Sequence, residues 1–141
     1  MQNLIKIFCI TILSICSSFA QEEIINDIEV VITNLSSNSG KVFVSLYNSE
    51  SSFLSKGIKA TYTKIENNNC KVTFKDVPFG VYAISLFHDE NGNNIMDSNF
   101  LGIPKEAYGC SNNARGFMGP PKWEDAKFQV TNSTVKQIIK L

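Results

Sequence analysis

The chain has 141 residues, 13 Lys and Arg against 13 Asp and Glu, 43% apolar and only 18% charged residues. That composition describes an ordinary globular domain and excludes a disordered, coiled-coil or collagen-like chain. Zero net charge without a basic cluster removes the electrostatic footprint of a nucleic-acid binder, and acidic-tail and basic membrane-surface readings fail with it.

The first 20 residues read as a secretory signal peptide. Lys6 is the only charge ahead of an apolar run that starts at Ile7 and ends in Ser18-Phe19-Ala20, whose small residues suit signal peptidase. Cleavage is expected after Ala20, leaving residues 21–141 as a single secreted or periplasmic domain. The apolar run is shorter than the ~20 residues that cross a bilayer, so no membrane span is expected after cleavage. Lipidation at Cys16 is disfavoured by the bulky Ile15 before it. Two cysteines survive cleavage, Cys70 and Cys110. An even count in an exported chain reads most simply as one disulfide, the alternative being two separate buried thiols.

The body alternates like strands and turns. In residues 27–33, Ile28, Val30 and Ile32 share one face, and in 41–48 Val42, Val44 and Leu46 do the same. Residues 59–66 and 70–74 flank Asn67-Asn68-Asn69, a left-handed turn signal that predicts a hairpin. Residues 81–88 form the most apolar segment, with Tyr82, Ile84 and Leu86 opposite Ala83 and Phe87, as a central strand requires. Residues 126–131 and 135–141 complete about seven strands without a long amphipathic helix. The expected fold is all-β, an antiparallel two-sheet sandwich. At Phe74-Lys75-Asp76-Val77-Pro78-Phe79-Gly80-Val81-Tyr82, Pro78 fixes one dihedral and Gly80 is free to take a positive one, so a sharp corner is expected. This corner resembles that of prealbumin-like sandwich modules.

Residues 89–122 have no strand period and carry five of the eight glycines and three of the four prolines. Connections this long are usually functional or disordered, and the anchors Phe100, Leu101, Ile103, Tyr108 and Phe117 favour one long ordered loop. It opens with Asp89-Glu90-Asn91-Gly92-Asn93-Asn94-Ile95-Met96-Asp97. Asp89, Asn91, Asn93 and Asp97 stand at the first, third, fifth and ninth positions, with the Ile95 carbonyl at the seventh. A hard cation takes six to eight oxygens, and this spacing is similar to EF-hand and related calcium loops. Two departures stand out: Asn94 replaces the usual glycine at the sixth place, and Phe100 replaces the bidentate acid at the twelfth. Glu90 or Glu106 would supply a carboxylate if the fold brought it round. The expected cofactor is weakly held Ca2+, in the ~10⁻⁴–10⁻³ M class of extracellular modules. The alternative is a metal-free turn held by its own Asx hydrogen bonds.

Further along, Tyr108, Phe117 and Trp123 offer stacking faces, and Asn112, Asn113 and Arg115 offer hydrogen bonds. The aromatics are expected to plug the end of the sandwich; the alternative is that the six residues form a carbohydrate- or peptide-binding surface for a cell-surface glycan or peptide. The set Gly80-x-Tyr82-Ala83, His88-Asp89-Glu90-Asn91-Gly92-Asn93, Leu101-Gly102-Ile103-Pro104-Lys105-Glu106-x-Tyr108-Gly109, Ser111-Asn112-Asn113-Ala114 and Gly119-Pro120-Pro121 resembles the secreted bacterial domain of unknown function 2141 family. The resemblance implies a prealbumin-like or immunoglobulin-like sandwich and leaves activity open. Asn94 and Cys110 depart from that family's usual Gly and aromatic.

An enzyme is not expected. His88 is the only histidine, no glycine-flanked serine elbow is present, and zinc-ligand spacing is absent. A small hydrolase centred on His88, with Ser111 as nucleophile, is the remaining catalytic alternative. The primary expectation is a secreted or periplasmic non-enzymatic module with a calcium-type loop.

Overall fold

The computed structural model describes residues 25–141; the expected leader, its cleavage site and Cys16 lie outside the described residues. Among the described residues, eight strands form two sheets. The three-stranded sheet has the order β4-β1-β8, built from β4 (Cys70–Pro78), β1 (Ile25–Thr33) and β8 (Val135–Lys140). The five-stranded sheet runs β3-β2-β5-β6, from β3 (Lys59–Thr63), β2 (Lys41–Tyr47), β5 (Gly80–Asp89) and β6 (Tyr108–Cys110), and β7 (Phe128–Val130) also pairs with β5. A single helical turn, α1 (Trp123–Ala126), precedes β7.

The period-two faces meet between the sheets. Ile28, Val30 and Ile32 of β1, with Phe74 and Ile139, pack against Val42, Val44 and Leu46 of β2 and Ile84 and Leu86 of β5. Burying each of these side chains is worth roughly 1.5–3 kcal/mol, which makes this layer the dominant stabilising term. A smaller cluster lies on the outer face of the five-stranded sheet, where Tyr47, Ala83 and Cys110 are covered by Ala114, Trp123 and Ala126.

Three expectations are corrected in detail. The 59–66 and 70–74 segments are not a hairpin: β3 pairs with β2, whereas β4 pairs with β1. Asn67 and Asn68 do adopt positive φ, but their turn carries the chain from one sheet to the other, closed by a single Glu66–Asn69 bridge. The second correction concerns β8, which runs parallel to β1, so the sandwich is not purely antiparallel. The third lies at the Pro78 corner, where the positive φ falls on Asp76 rather than Gly80. Gly80 instead leaves room for the Tyr82 ring, which would stand 3.2 Å from an added Cβ, and the Tyr82 hydroxyl donates to the Pro78 carbonyl at 3.0 Å.

Candidate functional site

The site begins where β5 ends. Asp89 pairs in register with Lys41 at the start of β2 and is fully buried. A buried carboxylate persists only when its lone pairs are satisfied. Here Oδ1 accepts from the backbone N–H groups of Gly92 (2.8 Å) and Asn93 (3.1 Å), and Oδ2 accepts from that of Asn94 (3.0 Å). Gly92 and Asn94 both sit in the left-handed region, at φ 76° and 68°, a conformation that asparagine, unlike most side chains, adopts readily.

The other oxygen-bearing side chains converge on Asp97. Asn91 Nδ2 donates to Asp97 Oδ2 at 2.6 Å, and Asn93 Nδ2 reaches both Asp97 oxygens at 3.0 and 3.1 Å. The amide oxygens of Asn91 and Asn93 accept from the N–H groups of Asn93 and Ile95, two residues on in each case. Ile95 exposes its side chain to solvent. The two acids weighed for the twelfth place separate clearly. Glu90 turns away and accepts from the hydroxyls of Ser36 (2.6 Å) and Ser37 (3.1 Å), which hold its carboxyl below the usual range. Glu106 comes round: its Oε2 accepts from the Asp97 N–H at 3.2 Å, while its buried Oε1 has no hydrogen-bond partner.

As it stands the loop is held by its own Asx hydrogen bonds, with the Nδ2 groups of Asn91 and Asn93, not their oxygens, turned toward Asp97. Asp89 and Asp97 keep unused lone pairs, each amide oxygen accepts one bond and has capacity for another, and Glu106 Oε1 is unsatisfied. Among the described residues no group of three or more His, Cys, Asp or Glu gathers as a metal cluster, so amide and carbonyl oxygens would have to complete the shell.

Beyond Asp97 the loop folds back on itself. Lys105 N–H donates to the Asp97 carbonyl, Ser98 bridges Pro104, and Asn99 Oδ1 accepts from both Leu101 and Ile103 N–H. This finger forms one wall of a groove of about 850 Å³ on the outer face of the five-stranded sheet. Ser85, Phe87 and Tyr108 line its floor, Met96 and Ile103 one side, and Met118 the other. The volume falls within the range of small-molecule sites.

The six residues of the alternative glycan- or peptide-binding surface are dispersed in role. Tyr108 lines the groove floor and Phe117 is almost fully exposed. Trp123 is buried edge-on to Phe53, in the secondary cluster. Asn112 Nδ2 donates to the carbonyls of Asp125 and Lys127. Asn113 exchanges two bonds with β8, donating to the Ile138 carbonyl and accepting from Lys140 N–H, and so mimics a further strand. Arg115 is exposed and donates to the Lys140 carbonyl at 3.2 Å. Phe87 was legible as an outward-facing strand residue; the contribution of Met96 was not, because it depends on how the loop returns.

The expected Cys70–Cys110 disulfide is absent: both are free thiols. Cys70 packs into the layer between the sheets and Cys110 into the cluster on the outer face, so the five-stranded sheet stands between them. Burial pushes both thiols up to about 11, with Arg115 weakly opposing this at Cys110. A raised folded-state value stabilises the fold below the unfolded thiol range near ~8.5 and is lost as pH rises towards 11. Native protein at pH 8 is therefore expected to resist iodoacetamide at Cys70 and Cys110, both labelling rapidly in urea; peptide mass mapping checks this, and rapid native labelling would contradict it.

The His88-centred hydrolase does not find its geometry. The ring is fully buried, with Nε2 2.8 Å from the Ser39 carbonyl and Nδ1 3.5 Å from Glu90 Oε1. Ser111 is equally committed: its buried hydroxyl donates to the Ala126 carbonyl at 2.6 Å and accepts from Ile84 N–H at 2.9 Å. Neither group faces an open cleft, and Ser111 serves instead to bind the loop to β5.

Fold and loop together define a small two-sheet β-sandwich with an Asx-rich loop and a groove on one sheet face. A family model described as an uncharacterized protein conserved in bacteria, DUF2141, matches residues 30–138, and the chain belongs to that family. Comparison with curated proteins and with solved structures returned no match.

Proposed function

We propose that the chain is a secreted or periplasmic, non-enzymatic binding module whose 89–97 loop takes a calcium ion weakly and thereby stiffens one wall of the groove. The signal-like leader supports export. What supports the calcium reading is the buried, unpartnered Oε1 of Glu106, whose Oε2 accepts from the Asp97 N–H; Asn91 and Asn93, whose Nδ2 groups donate to Asp97, would turn their amides to present oxygen to the ion. Asp89, Asn91, Asn93, Asp97, Glu106 and the Ile95 carbonyl would hold the ion. Calcium would supply charge neutralisation and rigidity. The residues themselves orient the loop, Asp89 by tying three N–H groups and Glu106 by tying the Asp97 backbone.

Melting the protein in excess EDTA and in millimolar Ca2+ tests this. A ligand bound only by the folded state stabilises by about 1.4 kcal/mol at a tenfold excess over Kd, so the midpoint should rise by a few degrees. Magnesium should do less, because it demands a smaller and more rigid shell. Asp97→Asn and Glu106→Gln should each abolish most of the rise. An unchanged midpoint at saturating Ca2+ would reject the site.

A further inference from the structure

Asn91-Gly92 is the single Asn-Gly step of the chain, and both residues are exposed in the bend of the 89–97 loop. Asparagine is among the thermolabile side chains. When the nitrogen of the next residue reaches its Cγ, a five-membered imide closes and the amide is lost. Glycine hinders that approach least because it has no side chain. At Gly92 the surroundings are open as well, since an added Cβ would meet nothing within 4 Å.

In the closed loop the reacting groups are held elsewhere. The Gly92 nitrogen donates its hydrogen to Oδ1 of the buried Asp89 at 2.8 Å, so the nucleophile is both protonated and tied down. The Asn91 amide is fixed at both ends, with Oδ1 accepting from Asn93 N–H at 3.0 Å and Nδ2 donating to Asp97 Oδ2 at 2.6 Å. Ring closure consumes the Gly92 hydrogen and expels Nδ2, so it breaks at least the first and last of these bonds. The reaction therefore starts from locally opened states, which exposed loops reach far more readily than strands in the core.

We infer that Asn91 is a site of spontaneous deamidation gated by this loop: closed, the loop preserves the amide; opened, it lets Asn91 pass to aspartate or isoaspartate. In the open loop the Gly92 nitrogen gives up its proton to solvent and bonds to Asn91 Cγ. The Cγ–Nδ2 bond breaks, and Nδ2 takes a proton back from solvent and leaves as ammonia. One water then opens the imide, at the side-chain carbonyl to give aspartate or at the main-chain carbonyl to give isoaspartate. No oxidant or reductant takes part; amide and water become carboxylic acid and ammonia. The product alters the loop, because a carboxylate at position 91 replaces the Nδ2 donor, and a hydrogen bond to Asp97 becomes a contact between like charges.

The test is to incubate the full chain in EDTA at pH 8, folded and in urea, and to follow the peptide carrying Asn91 by mass mapping. The unfolded chain should convert at least about tenfold faster than the folded one, because attack then waits on no opening. Asp89→Asn, its folded state verified by a melting transition, should move the folded rate towards the unfolded one, since the tie on the Gly92 nitrogen loses its charged acceptor. Gly92→Ala should slow conversion in urea, where no backbone strain enters. Folded chain converting as fast as unfolded chain, no conversion at Asn91 in urea, or a folded Asp89→Asn chain as slow as the original would each overturn the inference. With EDTA present throughout, these outcomes are independent of the proposed ion site.

Discussion

Gly40→Ala is expected to destabilise the domain by about 4 kcal/mol, a loss that few mechanisms reach, a backbone-level conflict among them. Gly40 sits at φ +70°, where an L side chain is already strained by roughly 1–2 kcal/mol. An added Cβ would also fall 1.8 Å from the Asp89 carbonyl oxygen, and because the obstacle is backbone no rotamer relieves it. β2 and β5 would have to part at the point from which the candidate loop departs. Gly102→Ala is the control: φ is +77° but nothing lies within 4 Å, so only the conformational cost of ~1 kcal/mol should appear. Urea titrations of both variants, compared at constant m-value, read the difference. Equal losses would mean that the close approach of Gly40 to Asp89 does not exist.

Asp89→Ala should cost about 3 kcal/mol. Hydrogen bonds to a charged acceptor are each worth ~1.5–3 kcal/mol, and three are lost here, partly compensated because water reaches the part-buried N–H groups. Amide exchange should localise the effect, with Gly92, Asn93 and Asn94 losing protection while β2 and the inner part of β5 retain theirs. Asp89→Asn keeps one acceptor oxygen and should lose less. The melting response to calcium should vanish with alanine, since the loop loses its anchor as well as an oxygen. Unchanged stability together with unchanged exchange would refute the anchoring role.

Much of this architecture was readable residue by residue. Ile28, Val30, Ile32, Val42, Val44, Leu46, Ile84 and Leu86 all lie in the core, as their alternation required. The Asx-rich run from Asp89 to Asp97 likewise signalled turns held by side-chain bonds to N–H groups a few residues ahead, which form regardless of the surrounding fold. The failures have a common source. Asn67-Asn68-Asn69 signals a reversal but carries no information about which sheet receives the next strand. Cys70 and Cys110 satisfy the arithmetic of a bridge, yet a sheet lies between them. Asn112, Asn113 and Ser111 looked chemically available and are instead committed to distant backbone.

Local pattern settled which residues face inward, where the turns fall and that Asp89, Asn91 and Asn93 cap N–H groups a few residues on, since each depends on neighbours within a few positions. Folding in three dimensions settled the parallel pairing of β1 with β8, the selection of Glu106 over Glu90, and the placing of Met96 and Met118 across one groove. Those contacts join segments far apart in the chain, and their energies depend on the relative placement of whole sheets and loops, which no short stretch of side chains encodes.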